Sequence, residues 1–378
     1  MKILLIGEYS RLHNSLKEGL TALGHEVVLL STGDYFKDYP SDIKLKRIYD
    51  SGLGKKLKVG LYKLFGIDIT ANSLRRQFFS HRSKLTGYDV VQLINESPLG
   101  ATPAIEKEII TFLKEHNKKL FLLSCGTDFL SVSYALSDAL PYSILQGLKD
   151  GSESSAKFKF ILKYITAPYK DLHEFVFANV NGVIASDMDY YLPLKDHPKF
   201  LGLIPNPVNI DKLPPVSISV EPPLTIFMGI NRANAHTKGI VYFEEALKLV
   251  SEKYADSIKI EVVENVPYAE YIKKYDNAHI VLDQVLGQDQ GYNALEAMAK
   301  GKVVFTGAEK VFTDYYKLDT EVAINALPDA QRIAHQLERF ITDPSLVATV
   351  GTNAREFVQK EHHFIRVAQT YLDTWHVN

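Results

Sequence analysis

The densest run of residues able to do chemistry is Asp283-Gln284-Val285-Leu286-Gly287-Gln288-Asp289-Gln290-Gly291-Tyr292-Asn293-Ala294-Leu295-Glu296. The apolar His279–Leu282 reads as a strand, the polar stretch with Gly287 and Gly291 as a loop, and Tyr292–Lys300 as a helix. The first amides of a helix have no partner inside it and stand at the positive end of its dipole. Gly291, Tyr292, Asn293 and Ala294 are therefore placed to hold phosphate. Glu296, one turn further on, can accept hydrogen bonds from two ribose hydroxyls. An ordinary glutamate favoured by the helix dipole reads the same way.

A second cluster, Gly229-Ile230-Asn231-Arg232-Ala233-Asn234-Ala235-His236-Thr237-Lys238-Gly239, follows another apolar run and precedes a helix. One guanidinium and one ammonium suit a diphosphate, the first as a bidentate fork and the second as a point charge. A pair of solvated surface cations is the competing reading. Three further segments end strands: Gly7-Glu8, Ser124-Cys125-Gly126-Thr127-Asp128, and Glu264-Asn265-Val266-Pro267-Tyr268. Asp128 stands equally well as a helix N-cap.

These motifs resemble those of the large family of retaining glycosyltransferases with the GT-B fold (group 1, family 4-like). Glu296-Ala297-Met298-Ala299 with Gly301 is similar to the second half of the family's donor motif, which carries two glutamates eight residues apart. Gln288 stands where the first is usual, and Asp283-Gln284 resembles a variant branch whose strand ends in Asp-Gln. Arg232 and Lys238-Gly239 resemble the family's diphosphate-binding pair. The resemblance implies a nucleoside diphosphate sugar as donor, with Glu296 on its ribose and Val266 beside its base. Gly291, Tyr292, Asn293 and Ala294 would offer amides, and Gln288, Asp289 and Gln290 are the candidates for the sugar hydroxyls. Arg232, Lys238, Asp289 and Asp128 are then the catalytic candidates, while Gly7 and Glu8 lie on the acceptor side. Cationic side chains serve in place of a metal in this fold, so neither a metal nor another cofactor is expected. The implied reaction is transfer of a hexose, with retention, to a saccharide or lipid-linked acceptor in cell-surface polysaccharide synthesis. An epimerase of the same fold and a non-catalytic nucleotide-sugar-binding protein are the alternatives.

The elements that would position these residues follow an α/β pattern. Continuous apolar strands at Lys2–Ile6, Val27–Leu30, Val90–Ile94, Leu120–Leu123 and Gly182–Ala185 alternate with helical periodicities, as in a parallel sheet buried on both faces. After the proline-rich Pro214–Pro223 the alternation restarts. The expected architecture is GT-B, two Rossmann-like domains with parallel sheets facing across a cleft. Residues 1–210 form the acceptor domain and 224–360 the donor domain, while helix 361–378 returns to the first. His362-His363 is expected on the surface of a continuous C-terminal helix, where adjacent side chains diverge.

Charge and composition exclude several classes. Cys125 is the only cysteine, so no intrachain disulfide and no cysteine-based zinc cluster can form. No G-x-G-x-x-G follows the first strand, which argues against a nicotinamide-binding domain. The apolar run at the start is shorter than a signal peptide requires, and a cytoplasmic protein is expected. Residues 44–84 hold eleven Lys and Arg against Asp50 and Asp68, within a chain of net charge -2. With Leu53, Leu57, Leu64 and Phe65 interleaved, that segment is suited to peripheral contact with an anionic membrane, or to a solvated helical face. No recognised nucleic-acid-binding motif accompanies the charge, and no nucleic-acid partner is expected.

Overall fold

A computed structural model describes residues 1–34, 38–216, 220–266 and 268–378. The chain divides into two compact units. Unit 1 comprises Met1–Val132, Phe160–Pro207 and Phe364–Asn378, and unit 2 comprises Ser133–Lys159 and Val208–His363.

The first part of the chain runs β1 (Lys2–Ile6), α1 (Leu12–Ala22), β2 (Glu26–Ser31), β3 (Ile43–Lys44), α2 (Gly52–Phe65), α3 (Ile69–Ser80), β4 (Val90–Leu93), α4 (Pro103–His116) and β5 (Lys119–Ser124). It continues through α5 (Phe129–Leu136), α6 (Gln146–Lys149), α7 (Lys159–Leu162), α8 (Ala167–Asn179), β6 (Gly182–Ala185), α9 (Met188–Leu194) and β7 (Phe200–Leu203). The seven strands are all parallel, in the order β3-β2-β1-β4-β5-β6-β7. Both faces are covered, which is why β4 and β6 are buried throughout and read as unbroken apolar runs.

The second part runs β8 (Leu224–Ile230), α10 (Ala235–Lys238), α11 (Ile240–Lys253), β9 (Ile258–Glu264), α12 (Tyr268–Asp276), β10 (Ile280–Leu282), α13 (Tyr292–Ala299), β11 (Val303–Thr306), α14 (Lys310–Tyr316), β12 (Ile324–Asn325), α15 (Ala330–Thr342), α16 (Ser345–Glu361) and α17 (Phe364–Val377). Its five parallel strands lie in the order β12-β11-β10-β8-β9. Ile226, Met228, Phe243, Leu282, Phe305, Leu337 and Phe340 form the centre of its core. In each sheet the strand order reverses once, between β1 and β4 and between β8 and β10. Ligands of open α/β sheets bind beyond the carboxyl ends of the strands at such a point.

Two sequence expectations need correction. Ser133–Lys159 belongs to unit 2, because Tyr142 is buried in that unit's core. The C-terminal helix is interrupted at His362-His363, where His362 is buried rather than superficial. The cause is backbone pairing with the other chain crossing: Val208 N donates to His362 O at 2.7 Å, and Val208 bridges His363. The proline-rich stretch and the residue before it are tied down in unit 2, where Val216 N donates to Lys300 O and Arg355 Nη1 to Leu213 O. Its Ser217, Ile218 and Ser219 lie outside the described residues, as does Pro267. Phe364–Asn378 belongs to unit 1.

Candidate active site

In unit 2 the reversal point lies between β8 and β10, and both principal motifs follow from those strands. Asp283 ends β10, and its side chain is only 1% exposed. Its Oδ1 accepts from Lys238 Nζ at 2.9 Å and from Asn293 Nδ2 at 3.0 Å. Three elements thus converge on one buried carboxylate: the end of α10, the end of β10 and the first turn of α13. Tyr271 OH donates to Asn293 Oδ1 at 2.6 Å, and Tyr275 OH to Asn293 O at 2.7 Å. Val285 N donates to Lys238 O at 2.8 Å, which fixes the lysine's backbone to the loop. Lys238 keeps about a third of its side chain exposed, although its ammonium is bound to a buried carboxylate.

Arg232 is placed differently. Its Nη2 donates to Glu244 at 2.8 Å and also to Glu264, in an exposed cluster that raises the guanidinium's pKa further through those two bonds. The expected cationic pair is therefore unequal. Lys238 is fixed on the buried carboxylate, whereas Arg232 must leave two glutamates to reach a phosphate.

The loop ahead of α13 is buried at Gln288, Asp289 and Gln290. Gln284 Nε2 donates to Asp289 O at 2.9 Å, and Asp289 Oδ1 accepts from Gln290 N at 2.7 Å. Gln288 Nε2 lies 3.5 Å from Tyr142 O. Gln290 Nε2 donates to Gly307 O at 2.7 Å, which orients Oε1 as an acceptor, and this oxygen is buried with no hydrogen-bond partner among the described residues. Gly291 sits at the N-cap of α13 with no side-chain cap, and Tyr292, Asn293 and Ala294 follow as the helix's first turn. Glu296 is half-buried one turn beyond Tyr292 and Asn293, on their face of the helix. Val266 is half-buried after β9.

Sequence reasoning missed Tyr142, Tyr271, Gly307 and Glu309, which brace this loop and carry no motif signal. Tyr142 OH donates to Glu309, and Asn325 Nδ2 donates to the same carboxylate at 3.0 Å.

In unit 1, Gly7 and Glu8 follow β1 at the reversal point. Gly7 has φ +89°, with Ile94 and Pro98 packed where a side chain would stand. His13, kept neutral by a burial that pushes its pKa down to about 3, lies 2.8 Å from Gly7 O. Glu8 Oε2 accepts from Asn14 N at 2.9 Å, while its buried Oε1 has no hydrogen-bond partner among the described residues. Burial pushes the Glu8 carboxyl up to about 7, with Asn14 opposing the shift and the charge of Asp34 adding to it. The folded state therefore binds the extra proton between an ordinary value of 4.5 and about 7. The stability this provides is complete below 4.5 and lost as the pH rises through 7. Glu8→Gln is expected to melt higher than wild type at pH 8, by at most about 3 kcal/mol, and to match it in acid. A calorimetric pH series checks this.

Asp128 takes its structural role. Its Oδ1 accepts from Ser131 N at 2.7 Å, its Oδ2 from Ser124 Oγ at 2.8 Å, and its own N donates to Ser131 Oγ at 3.0 Å. This closes a reciprocal cap at the start of α5. The residue is buried and both its oxygens are engaged in the cap. Asp128→Asn, which keeps the capping oxygen, is expected to hold any turnover within a few-fold of wild type. Asp128→Ala should lose about 1 kcal/mol of stability. Collapse of turnover in Asp128→Asn at an unchanged melting temperature would contradict this.

Cys125 is kept protonated by desolvation and by the charge of Asp187. Beside β4, Glu96 Oε1 lies 2.7 Å from His173 Nδ1, a buried pair that the sequence did not signal. Among the described residues no three His, Cys, Asp or Glu side chains are gathered as ligands for a metal ion.

Residues 231–373 match the family model described as glycosyl transferase-like. A search of curated proteins returns no match. Solved structures align along the whole chain. A sucrose-phosphate synthase from Thermosynechococcus elongatus is 16% identical with a TM-score of 0.62, covering 100% of both chains. Anabaena HepE in complex with UDP-glucose is 12% identical with a TM-score of 0.59, also over 100% of both. The fold is GT-B. The same HepE in complex with UDP and glucose gives a TM-score of 0.59 at 13% identity over 99% of each chain. In this GT-B chain the family match spans Arg232 together with Lys238, Asp283 and Asn293, the three that meet at the reversal point of unit 2.

Proposed function

We propose that this GT-B chain transfers a hexose from a nucleoside diphosphate sugar to a saccharide or lipid-linked acceptor, with retention, in the synthesis of a cell-surface polysaccharide. The observation that carries this reading is the placement of Lys238, Asp283 and Asn293 on one another at the first turn of α13. A helix start, an ammonium and a half-buried carboxylate one turn on suit in turn the diphosphate, its developing charge and the ribose. The donor proposed first carries uridine, since HepE is seen with UDP-glucose.

In this reading the diphosphate lies across the amides of Gly291–Ala294, with Lys238 on one side and Arg232 joining once released from Glu244 and Glu264. Glu296 holds the ribose and Val266 lies beside the base. Gln290 Oε1 receives a sugar hydroxyl, with Gln288 and Asp289 shaping the same pocket wall. Charge on the departing diphosphate is met by cationic side chains and helix amides rather than by a metal, so chelators should leave the rate unchanged. The acceptor attacks from the face that the leaving group departs, which retains the anomeric configuration. Gly7 and Glu8 are assigned to the acceptor side. The proposed place of work is the cytoplasm, at the inner face of the membrane.

Incubation with UDP-glucose and other nucleoside diphosphate sugars against a panel of acceptors tests this. Nucleoside diphosphate release and the product's anomeric configuration, read by NMR, are the measurements. A retained glycoside supports the proposal, and an inverted one overturns retention. A changed sugar stereocentre with no acceptor present would replace transfer by epimerisation. Binding without turnover on any acceptor would leave a nucleotide-sugar-binding protein.

A further inference from the structure

Four of the eleven cations of segment 44–84 are held in ion pairs within the fold. Lys44 pairs with Asp38, Arg47 with Asp50, Lys58 with Asp50 and Arg75 with Glu108. Helix α3 packs Leu74 and Phe78 fully inward. Helix α2 does not behave this way. None of its fourteen residues is buried, although half of them are apolar side chains.

The side chains of α2 are sorted by face. Leu53, Leu57, Leu61, Leu64 and Phe65 follow a spacing of four, four, three and one, which places them on one side of a helix. Leu53 is 82% exposed, Leu64 76% and Phe65 68%. Lys55, Lys56 and Lys63 occupy the opposite side together with Val59 and Tyr62, and these lysines make no ion pair among the described residues. The helix contains four lysines and no acid.

We propose that α2 is a docking helix for an anionic lipid surface. It would lie in the plane of the interface, with Leu53, Leu57, Leu64 and Phe65 inserted among the acyl chains and Lys55, Lys56 and Lys63 at the phosphate level. Fourteen residues are too few to cross a bilayer, and no helix among the described residues is long and apolar enough to do so. The charge decides the occupant. Lys55, Lys56 and Lys63 have no acid on their helix and no ion pair among the described residues, and anionic headgroups supply the missing countercharge. The inference is independent of the transfer reaction, and its failure would leave the proposed chemistry standing.

The test is sedimentation of the full chain with phosphatidylcholine vesicles, with and without phosphatidylglycerol, at low and high salt. Pelleting is expected with the anionic vesicles at low salt only. Leu64→Ser/Phe65→Ser should weaken it at least about tenfold, and each of Lys55→Glu and Lys56→Glu by at least about fivefold. Because these side chains are exposed, the melting temperature should not change, and hydrogen exchange in α2 should slow on the vesicles. Pelleting that ignores lipid charge, a protein that stays in the supernatant throughout, or binding unaltered by Leu64→Ser/Phe65→Ser overturns the proposal. So does a dimer in sedimentation velocity that the same double substitution dissolves, since α2 would then serve a second copy.

Discussion

Lys238→Ala is expected to lower donor turnover by about 100- to 1,000-fold, the scale on which one group stabilising a developing charge acts. Its advantage is position. The ammonium is fixed by Asp283 before any ligand arrives, and the lysine's carbonyl holds Val285 N, so little reorganisation is required at the moment of reaction. Arg232→Ala should lose much less, about tenfold. Its guanidinium is exposed and already shared between Glu244 and Glu264, each about two-fifths exposed, and such pairs are screened by solvent. The substitution at Lys238 also leaves the Asp283 carboxylate with Asn293 Nδ2 as its closest remaining donor, Thr306 Oγ1 being 3.4 Å away. A lower melting temperature should accompany the loss of turnover. Lys238→Arg restores the charge and should recover stability before it recovers rate, because the bulkier fork does not fit a site built for a point charge. Steady-state rates and melting curves on the four proteins separate the two effects.

Gly307→Ala is expected to damage both the stability of unit 2 and the loop ahead of α13. A Cβ at that position would stand 2.5 Å from Asp289 N and 2.5 Å from Gly287 O, both backbone atoms that no rotamer change can move aside. Either the donor loop or the end of β11 must shift. Overpacking of this kind costs about 1–3 kcal/mol. Gly307 O also receives the bond that orients Gln290, so the shift reaches the proposed sugar contact. A displacement near 1 Å at a reacting site can lower turnover by about 100-fold. Thermal melting and donor titration on Gly307→Ala check both expectations. A variant with wild-type melting and binding would show that the loop gives way without consequence.

The legible part of this molecule was its strand grammar. Runs such as Val90–Leu93 and Gly182–Ala185 are apolar without alternation because helices cover both faces of the sheet. That pattern, with the restart at Leu224, was enough to anticipate two parallel sheets. The α13 motif was legible because its chemistry is local: a glycine, a helix start and a glutamate one turn on. Contacts distant in sequence were not legible. Nothing near Gly307 announces that Gly287 and Asp289 will press against it, and nothing near Tyr142 announces the core of unit 2. Arg232 and Lys238 read alike as cations, and only folding shows one on a buried carboxylate and the other among exposed glutamates. Asp128 carried two readings of one sequence pattern, and the structure shows the cap geometry of one of them. The break at His362-His363 comes from pairing with Val208, which helical periodicity does not encode.

In the proposed function, the reversal point of unit 2 is a nucleoside diphosphate sugar site organised by Lys238. Calorimetric titration of UDP and UDP-glucose into the wild-type protein and Lys238→Ala tests it most directly. Saturable binding to wild type, weakened at least about tenfold in a variant that remains folded, is the predicted result. Equal affinity in the two proteins, or no binding of any nucleoside diphosphate or its sugar to wild type, would contradict it.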